Sequence, residues 1–548
     1  MGGGSMEKEK QSKEKLEVVE LEIPAKHPKA IEANVMIFNI ILSVIGAIIG
    51  LQILTTLGIT PNTAIIGVLL AIAIARIPLP FLSAFRSIHR QNLVQSNISS
   101  ATFGAANCLL LPIGIPFLLG RQDLILPMLL GATMGMLVDL AMLYWFFDSR
   151  IFPGENAWPP GLAAAEAIIA GDQGGKRGRL LIYGTVVGVI GSYFNISMSA
   201  FGVAFIGNIV ALAMFGVGLL IRGYAPALFH VDINKLYIPH GMMIGAGLVA
   251  LIQIIFILTK RTGKESGATT QPVSYTRSEN YVRRKLVTGC VLYLIAAVIV
   301  SLATGLWAEM SFGKILLWVV FAAFACVAAE FIVGLASMHA GWFPAFATAL
   351  IFLVLGILMG FPPVAAAILV GFVASGGPAF ADAGYDLRAG WWLRGKGKHL
   401  QFELDGRWQQ IIAGFVGLMI GLVMVFFFRD LYFSQNLVPP VDRVFVATIK
   451  AGVDPSLIKS LLIWAIPGAI IQILGGSTRQ MGILLSTGLL IMNPLAGWAV
   501  LVGIAIRYAL RTKYGEEMET PMTIFGAGCI AGDALYGFFN AVFKAKWR

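Results

Sequence analysis

Long apolar runs, each closed by a short polar or Gly/Pro-containing stretch, recur along the whole chain. They fall near residues 35–57, 62–84, 92–119, 124–147, 179–195, 199–222 and 236–259. They resume near 285–306, 314–335, 344–360, 363–384, 408–428, 457–475, 480–511 and 520–543. A helix of about 20 apolar residues spans a bilayer core, so the pattern predicts an all-α, polytopic membrane protein. A shorter helix near 158–171 brings the count to about sixteen. That count lets 158–171 and 480–511 each cross once, although Asn493-Pro494 is able to break the latter in two.

The segment around 158–171 departs from the pattern most. Pro153-Gly154-Glu155-Asn156-Ala157-Trp158-Pro159-Pro160-Gly161 opens with helix breakers, then turns small and helical through Leu162, Ala163, Ala164, Ala165 and Glu166 to Gly171. Pro159 and Pro160 lack N–H donors and suit a first helical turn. Such a helix is about 21 Å long at ~1.5 Å per residue, short of a hydrocarbon core of roughly 30 Å. A short helix entered through a break and carrying a carboxylate reads as a broken or re-entrant helix lining a transport path. The alternative is a packed connector with Glu166 paired or facing water.

Composition narrows the class. Charged residues are 13% of the 548 against 57% hydrophobic, where soluble domains carry roughly 25% charge. The net charge of +11 clusters in loops beside the spans, so it reads as topology and lipid contact, with no nucleic-acid partner. Cys108, Cys290, Cys326 and Cys529 lie in apolar runs without paired spacing. They read as small core residues, so neither a disulfide frame, a metal site nor a cofactor is expected.

Met1–Ser5 reads as an added leader ahead of a natural start at Met6, and 6–33 as a mixed-charge cytoplasmic tail, mobile or lying on the surface. Two membrane halves follow, 34–259 and 286–548, joined by a basic linker over 260–285. Sixteen crossings would put both termini, this linker and the basic loop Arg388–Arg407 in the cytoplasm of a cell whose cytoplasmic membrane holds the protein. Lys176-Arg177-Gly178-Arg179 then falls on the wrong side, which points to 158–171 turning back. Gly58-Ile59-Thr60-Pro61 and Gly360-Phe361-Pro362-Pro363 each follow an apolar helix and introduce another. This predicts internal repeats of shared orientation, with hairpins over 51–75 and 353–377.

Several stretches, in order, resemble the oligopeptide transporter superfamily, whose members carry peptides or, in the yellow-stripe-like branch, metal chelates. Pro159-Pro160-Gly161-Leu162-Ala163-Ala164-Ala165-Glu166 is similar to its Pro-small-Gly motif, which a glutamate follows in prokaryotic members. Asp382-Ala383-Gly384-Tyr385-Asp386-Leu387-Arg388-Ala389-Gly390 resembles its Asp-Leu-Lys-x-Gly pattern. Gly526-Ala527-Gly528-Cys529-Ile530-Ala531-Gly532-Asp533 resembles its C-terminal glycine-rich stretch, and His89-Arg90-Gln91-Asn92 its Arg-Gln-Glu-Asn motif. The chain departs at Gly334–Pro344, where prokaryotic members read Gly-x-x-Gly-Ser-Ser-Asn-Asn-Pro, and it lacks the peptide branch's Asn-Pro-Gly-Pro-Phe-Asn. The resemblance implies a secondary carrier of small peptides or peptide-like and metal-chelate solutes.

Ionisable groups at membrane depth are candidate sites by default. Glu166, Asp533, Glu330, His339 and Asp139 are candidates for proton coupling, each against the alternative of a structural hydrogen bond or pairing. Arg76 either neutralises one of these acids or holds a substrate carboxylate. Trp158, Pro160, Gly161, Ser337 and Asn493 are further substrate-side candidates. Asp382, Asp386 and Arg388 are expected at a helix end, as a gate or as solvated caps.

No His-Glu-x-x-His, Gly-x-Ser-x-Gly, Cys-x-x-Cys or nucleotide-binding Gly-x-x-x-x-Gly-Lys-Ser/Thr occurs. The reading is therefore a non-enzymatic secondary carrier, driven by protons or another ion. A channel, which would need a continuous polar stripe, and a membrane-embedded enzyme, which would need a catalytic constellation, are the competing classes.

Overall fold

The computed structural model describes residues 24–57, 68, 85–173, 175–259, 275–341, 343–452 and 456–544. In chain order the helices are α1 (Ala33–Leu57), α2 (Ile88–Leu118), α3 (Ile125–Phe146), α4 (Pro159–Gln173), α5 (Gly175–Tyr193), α6 (Met198–Val203), α7 (Ile209–Phe229), α8 (Ile238–Thr259) and α9 (Glu279–Ala303). They continue with α10 (Phe312–Ala340), α11 (Ala345–Leu358), α12 (Pro363–Leu393), α13 (Leu400–Ser434), α14 (Pro440–Ala451), α15 (Ser456–Arg479), α16 (Met481–Leu490), α17 (Pro494–Tyr514) and α18 (Glu519–Lys544). Among the described residues there is no strand, only an isolated bridge between Phe147 and Phe152. Among the described residues ten helices are long and apolar enough to cross a membrane, and α8, α11 and α16 carry shorter apolar stretches. The chain is all-helical and multi-pass.

The centre of the molecule is α12. It is buried along nearly its whole length and packs on α3, α10, α11, α2 and α4. Its small residues, such as Ala366, Gly371, Gly376, Ala379 and Gly384, let those backbones approach closely. The two halves of the chain interdigitate: α5 packs on α18, α7 on α16 and α8 on α15. Glycines make the first of these contacts possible. A Cβ on Gly184 would stand 3.0 Å from the Gly528 Cα, and one on Gly188 3.0 Å from the Gly532 Cα.

Five features differ from the sequence reading. The stretch 480–511 is two helices, split by extended residues before Pro494, and 199–222 is broken between α6 and α7. The expected basic loop Arg388–Arg407 shrinks to the turn between α12 and α13, and Arg388, Arg394 and Arg407 are buried within the protein. Residues 24–32 are docked: Ala30 donates its N–H to Gln409 Oε1 at 3.0 Å, and His27 packs on His89 and Phe402. The end of the expected linker is also structured, since α9 starts at Glu279 and Thr276 donates to Asp148 Oδ2 at 2.6 Å. Residues 1–23, the 58–61 half of the repeat, Arg76 and linker residues 260–274 lie outside the described residues.

Candidate functional site

Four helix breaks meet at one place. The first is the segment before α4, where Trp158 takes a left-handed backbone (φ 38°) just ahead of Pro159. Its N–H donates to the Met338 carbonyl at 2.9 Å. Met338 lies in the last turn of α10, whose carbonyls have no partner within the helix, so the start of one helix satisfies the end of another. The second break follows α10 at Gly341 (φ 67°), where a Cβ would stand 3.1 Å from the Pro160 ring. The third is Ile206-Gly207-Asn208, with Asn208 Oδ1 capping α7 by accepting from Val210 and Ala211. The fourth is the kink of α15 into α16, at Gly476 (φ 66°) and Gln480 (φ 48°).

These breaks border a cavity of about 480 Å³, whose polar lining includes Arg150, Glu155, Asn156, Asn208, His339 and Gln480. Beside it lies a second cavity of about 370 Å³, lined by Asp148, Glu155, Tyr275, Arg388, Trp391, Trp392 and Lys396. Glu155 and Tyr275 belong to both. Volumes in the range of roughly 300–1,000 Å³ suit small-molecule ligands. Backbone that is neither helix nor strand is tolerated at membrane depth only where it is buried in protein or lines such a cavity.

A second constellation is fully buried. Tyr293 on α9 places its hydroxyl between Asp139 of α3 and Glu330 of α10, within hydrogen-bond contact of a carboxyl oxygen of each. All three side chains are at most 1% exposed, and the other oxygen of each acid has no hydrogen-bond partner. Gly376 of α12 leaves the room that Asp139 occupies. A phenol carries one proton and donates it to one acid. Both contacts are hydrogen bonds when the second acid is itself protonated and donates to the phenol oxygen. From Glu330 to Leu335, which lines the larger cavity, α10 rises about 7.5 Å at ~1.5 Å per residue.

A third group joins α12 to the polar half of α2. Asp382 accepts from Ser99 Oγ at 2.5 Å and Ser100 Oγ at 3.4 Å, and Asp386 accepts from the Gln95 amide. Gln410 donates to the Asp386 carbonyl at 2.6 Å and accepts from Arg394 at 2.7 Å. Arg394 and Arg407 both hold Glu403, at 2.8 and 2.9 Å, all three side chains being fully buried. Arg407 also reaches Asp148, at 3.6 Å.

The remaining expected site residues take other positions. Glu166 is 1% exposed on α4, a helix that begins inside the protein and ends at exposed Asp172. Asp533 accepts from Ser192 and, at 2.7 Å, from the Ser199 N–H, tying α18 to the corner between α5 and α6. His339 lines the larger cavity, with its Nε2 unbonded. Ser337 is buried and donates back to the Val333 carbonyl at 2.7 Å. Trp158, Pro160 and Gly161 are buried and lie outside the lining of either cavity. Asn493 caps α17 through Ala496. Asp382, Asp386 and Arg388 are not at a helix end, because α12 continues to Leu393.

Sequence reasoning missed Tyr293, Glu155, Tyr275, Gln95 and Glu403. Of these only Gln95 carried a signal, as part of the polar run Gln91–Asn97 in a helix otherwise long enough to span.

Buried acids, broken helices and cavities between them within a multi-pass bundle point to the transporter class. A family model described as OPT oligopeptide transporter protein matches residues 33–246 and 230–544. The chain belongs to this family. Its substrate is accordingly a small molecule or peptide. No curated protein matches the chain.

Proposed function

We propose that this chain is a secondary active transporter that couples proton movement to the passage of a small oligopeptide, or a related peptide-like or metal-chelate solute, across the cytoplasmic membrane. The observation that carries the proposal is the Tyr293 hydroxyl held between Asp139 and Glu330 at full burial. An isolated charge at that depth costs several kcal/mol, whereas two acids sharing one proton through a phenol gain and lose it with local rearrangement only. The two cavities, the larger of which reaches Leu335, less than two helical turns from Glu330 along α10, are the proposed cargo site.

The proposal keeps about sixteen membrane helices, counting α16 and α17 as one crossing and α4 as a half-helix lining the path. It also keeps two halves, 34–259 and 286–548, joined by a cytoplasmic linker at 260–285. Purified protein in liposomes, given an inward proton gradient and a panel of short peptides and metal chelates, tests it. Uptake that collapses with a protonophore is the expected result. Uptake indifferent to the protonophore refutes proton coupling, and no uptake across the panel refutes the substrate class.

A further inference from the structure

Four arginines are buried among the described residues: Arg222, Arg388, Arg394 and Arg407. Three have a carboxylate: Arg222 pairs with Asp232 at 3.1 Å, and Arg394 and Arg407 share Glu403 at 2.8 and 2.9 Å. Arg388, 3% exposed, has no ion pair among the described residues. Its Nη1 donates to the Gly154 carbonyl at 2.5 Å, its Nε is unbonded, and its guanidinium lies over the rings of Trp391 and Trp392 at 4.9 and 4.8 Å. Glu155, Glu166 and Asp148 make up its acidic surroundings but stop short of ion-pair contact. Asp148 is already engaged by Thr276, Arg407 and the Gly154 N–H.

A buried guanidinium without a direct ion pair is costly, because the more distant charges of Glu155, Glu166 and Asp148 offset its desolvation only in part. Arg388 lines the smaller cavity, with the Lys396 ammonium beside it over Trp392 at 3.8 Å. We propose that this cavity is the carboxylate-reading end of the cargo site. A carboxylate of the solute pairs with Arg388, and the rest of the molecule passes Glu155 and Tyr275 into the larger cavity. A planar fork such as guanidinium matches a carboxylate in two parallel hydrogen bonds. The two indoles flank the guanidinium and lower the local dielectric, which strengthens that pairing. The sequence alone left Arg76 either neutralising an acid or holding a substrate carboxylate, and read Arg388 as a gate or a solvated cap.

The inference rests on the carrier reading, but its test needs no proton gradient and so fails or succeeds separately. Full-length protein in neutral detergent is titrated with trialanine, N-acetyl-trialanine, trialanine amide and citrate. Tryptophan fluorescence and thermal shift are followed, since Trp391 and Trp392 border the cavity. We expect the free acids to bind and the amide to bind at least ~10-fold more weakly, as loss of a charge-assisted bond implies. Acetylation should leave the carboxylate contact in place. Lys396→Gln, on an exposed side chain, should weaken the acids without altering melting of the free protein. Arg388→Lys should keep the fold and lose the acid-over-amide preference. Equal binding of acid and amide, or no response to any carboxylate, overturns the proposal. So does protection by phosphatidylglycerol that the acids do not displace, which would assign Arg388 to a lipid phosphate.

Discussion

The indole of Trp158 occupies the space that a side chain at position 384 would need: a Cβ built on Gly384 runs into the six-membered ring. This contact seats the start of α4 against α12, with Tyr385 edge-on to the same indole at 6.1 Å. Gly384→Ala must therefore displace a fully buried tryptophan. The expected loss is about 1–3 kcal/mol, typical of overpacking, read as a lower melting temperature in detergent. Unchanged melting would mean that the α4 entry is not rigidly seated.

Tyr293→Phe keeps the ring and removes the hydroxyl shared by Asp139 and Glu330. Hydrogen bonds to charged groups are worth about 1.5–3 kcal/mol, so gradient-driven uptake should fall by about 10- to 100-fold. Substrate exchange at equal pH should persist, because cargo binding is untouched. Parallel uptake and counterflow assays on one liposome preparation separate the two, and retention of both would remove Tyr293 from coupling.

Glu403 is the shared partner of two fully buried guanidiniums. Glu403→Gln leaves Arg394 without a carboxylate and Arg407 with only its contact to Asp148 at 3.6 Å, and the expected cost is about 3–5 kcal/mol. Thermal unfolding of the purified variant measures it. A melting temperature equal to that of the native protein would show that other groups hold Arg394 and Arg407.

Glu166 lies seven residues into α4, about 10 Å from its buried start at ~1.5 Å per residue. Glu166→Gln is nearly isosteric, so melting should change little while pH-driven uptake falls. Side-by-side melting and uptake curves decide the matter: full uptake with an unaltered pH profile would leave Glu166 a purely structural role.

The docked N-terminal segment should be sensitive to acid. Burial holds the His27 imidazole down at about 3, from an ordinary 6.5, with further lowering by Arg394 and His89. Between these limits the unfolded chain binds a proton that the folded one does not, so stability falls as pH drops from 6.5 towards 3. Above 6.5 the effect vanishes. His27→Phe, which keeps a ring against Phe402, should flatten this part of the melting-versus-pH curve. An identical slope in variant and native protein would place the acid sensitivity elsewhere.

Much of the pattern of helix breaks was legible because it is written in local signals. Pro159-Pro160 and Gly161 announce an interrupted helix through missing donors and a missing Cβ, and the segment before α4 does border the larger cavity. Lone acids such as Asp139 and Glu330 stand out against apolar runs at any distance. Their partner did not. Tyr293 reads as one more aromatic residue in α9, and only the packing of α9 between α3 and α10 gives its hydroxyl two acids. The basic stretch 388–407 misled for the same reason. Glu403 lies nine residues from Arg394, too far along the chain to signal a pair, yet the turn between α12 and α13 folds them together.

By itself, then, the sequence determined the solvent and the class of this protein. Apolar runs of membrane length have one stable state in lipid, a helix, because each backbone donor must find its acceptor within the segment. Composition, breaks and motif order follow from that local requirement and can be read along the line. What the tertiary structure decided is which polar groups meet. Hydrogen bonds and ion pairs reach only about 3–4 Å, while the residues that make them are 37 positions apart for Tyr293 and Glu330 and 234 for Arg388 and Gly154. Contacts of that range depend on how α3, α9, α10 and α12 pack, and that packing is set by small residues whose individual signals are weak. It is also the packing that left Arg388 buried at the wall of a cavity with no direct ion pair among the described residues.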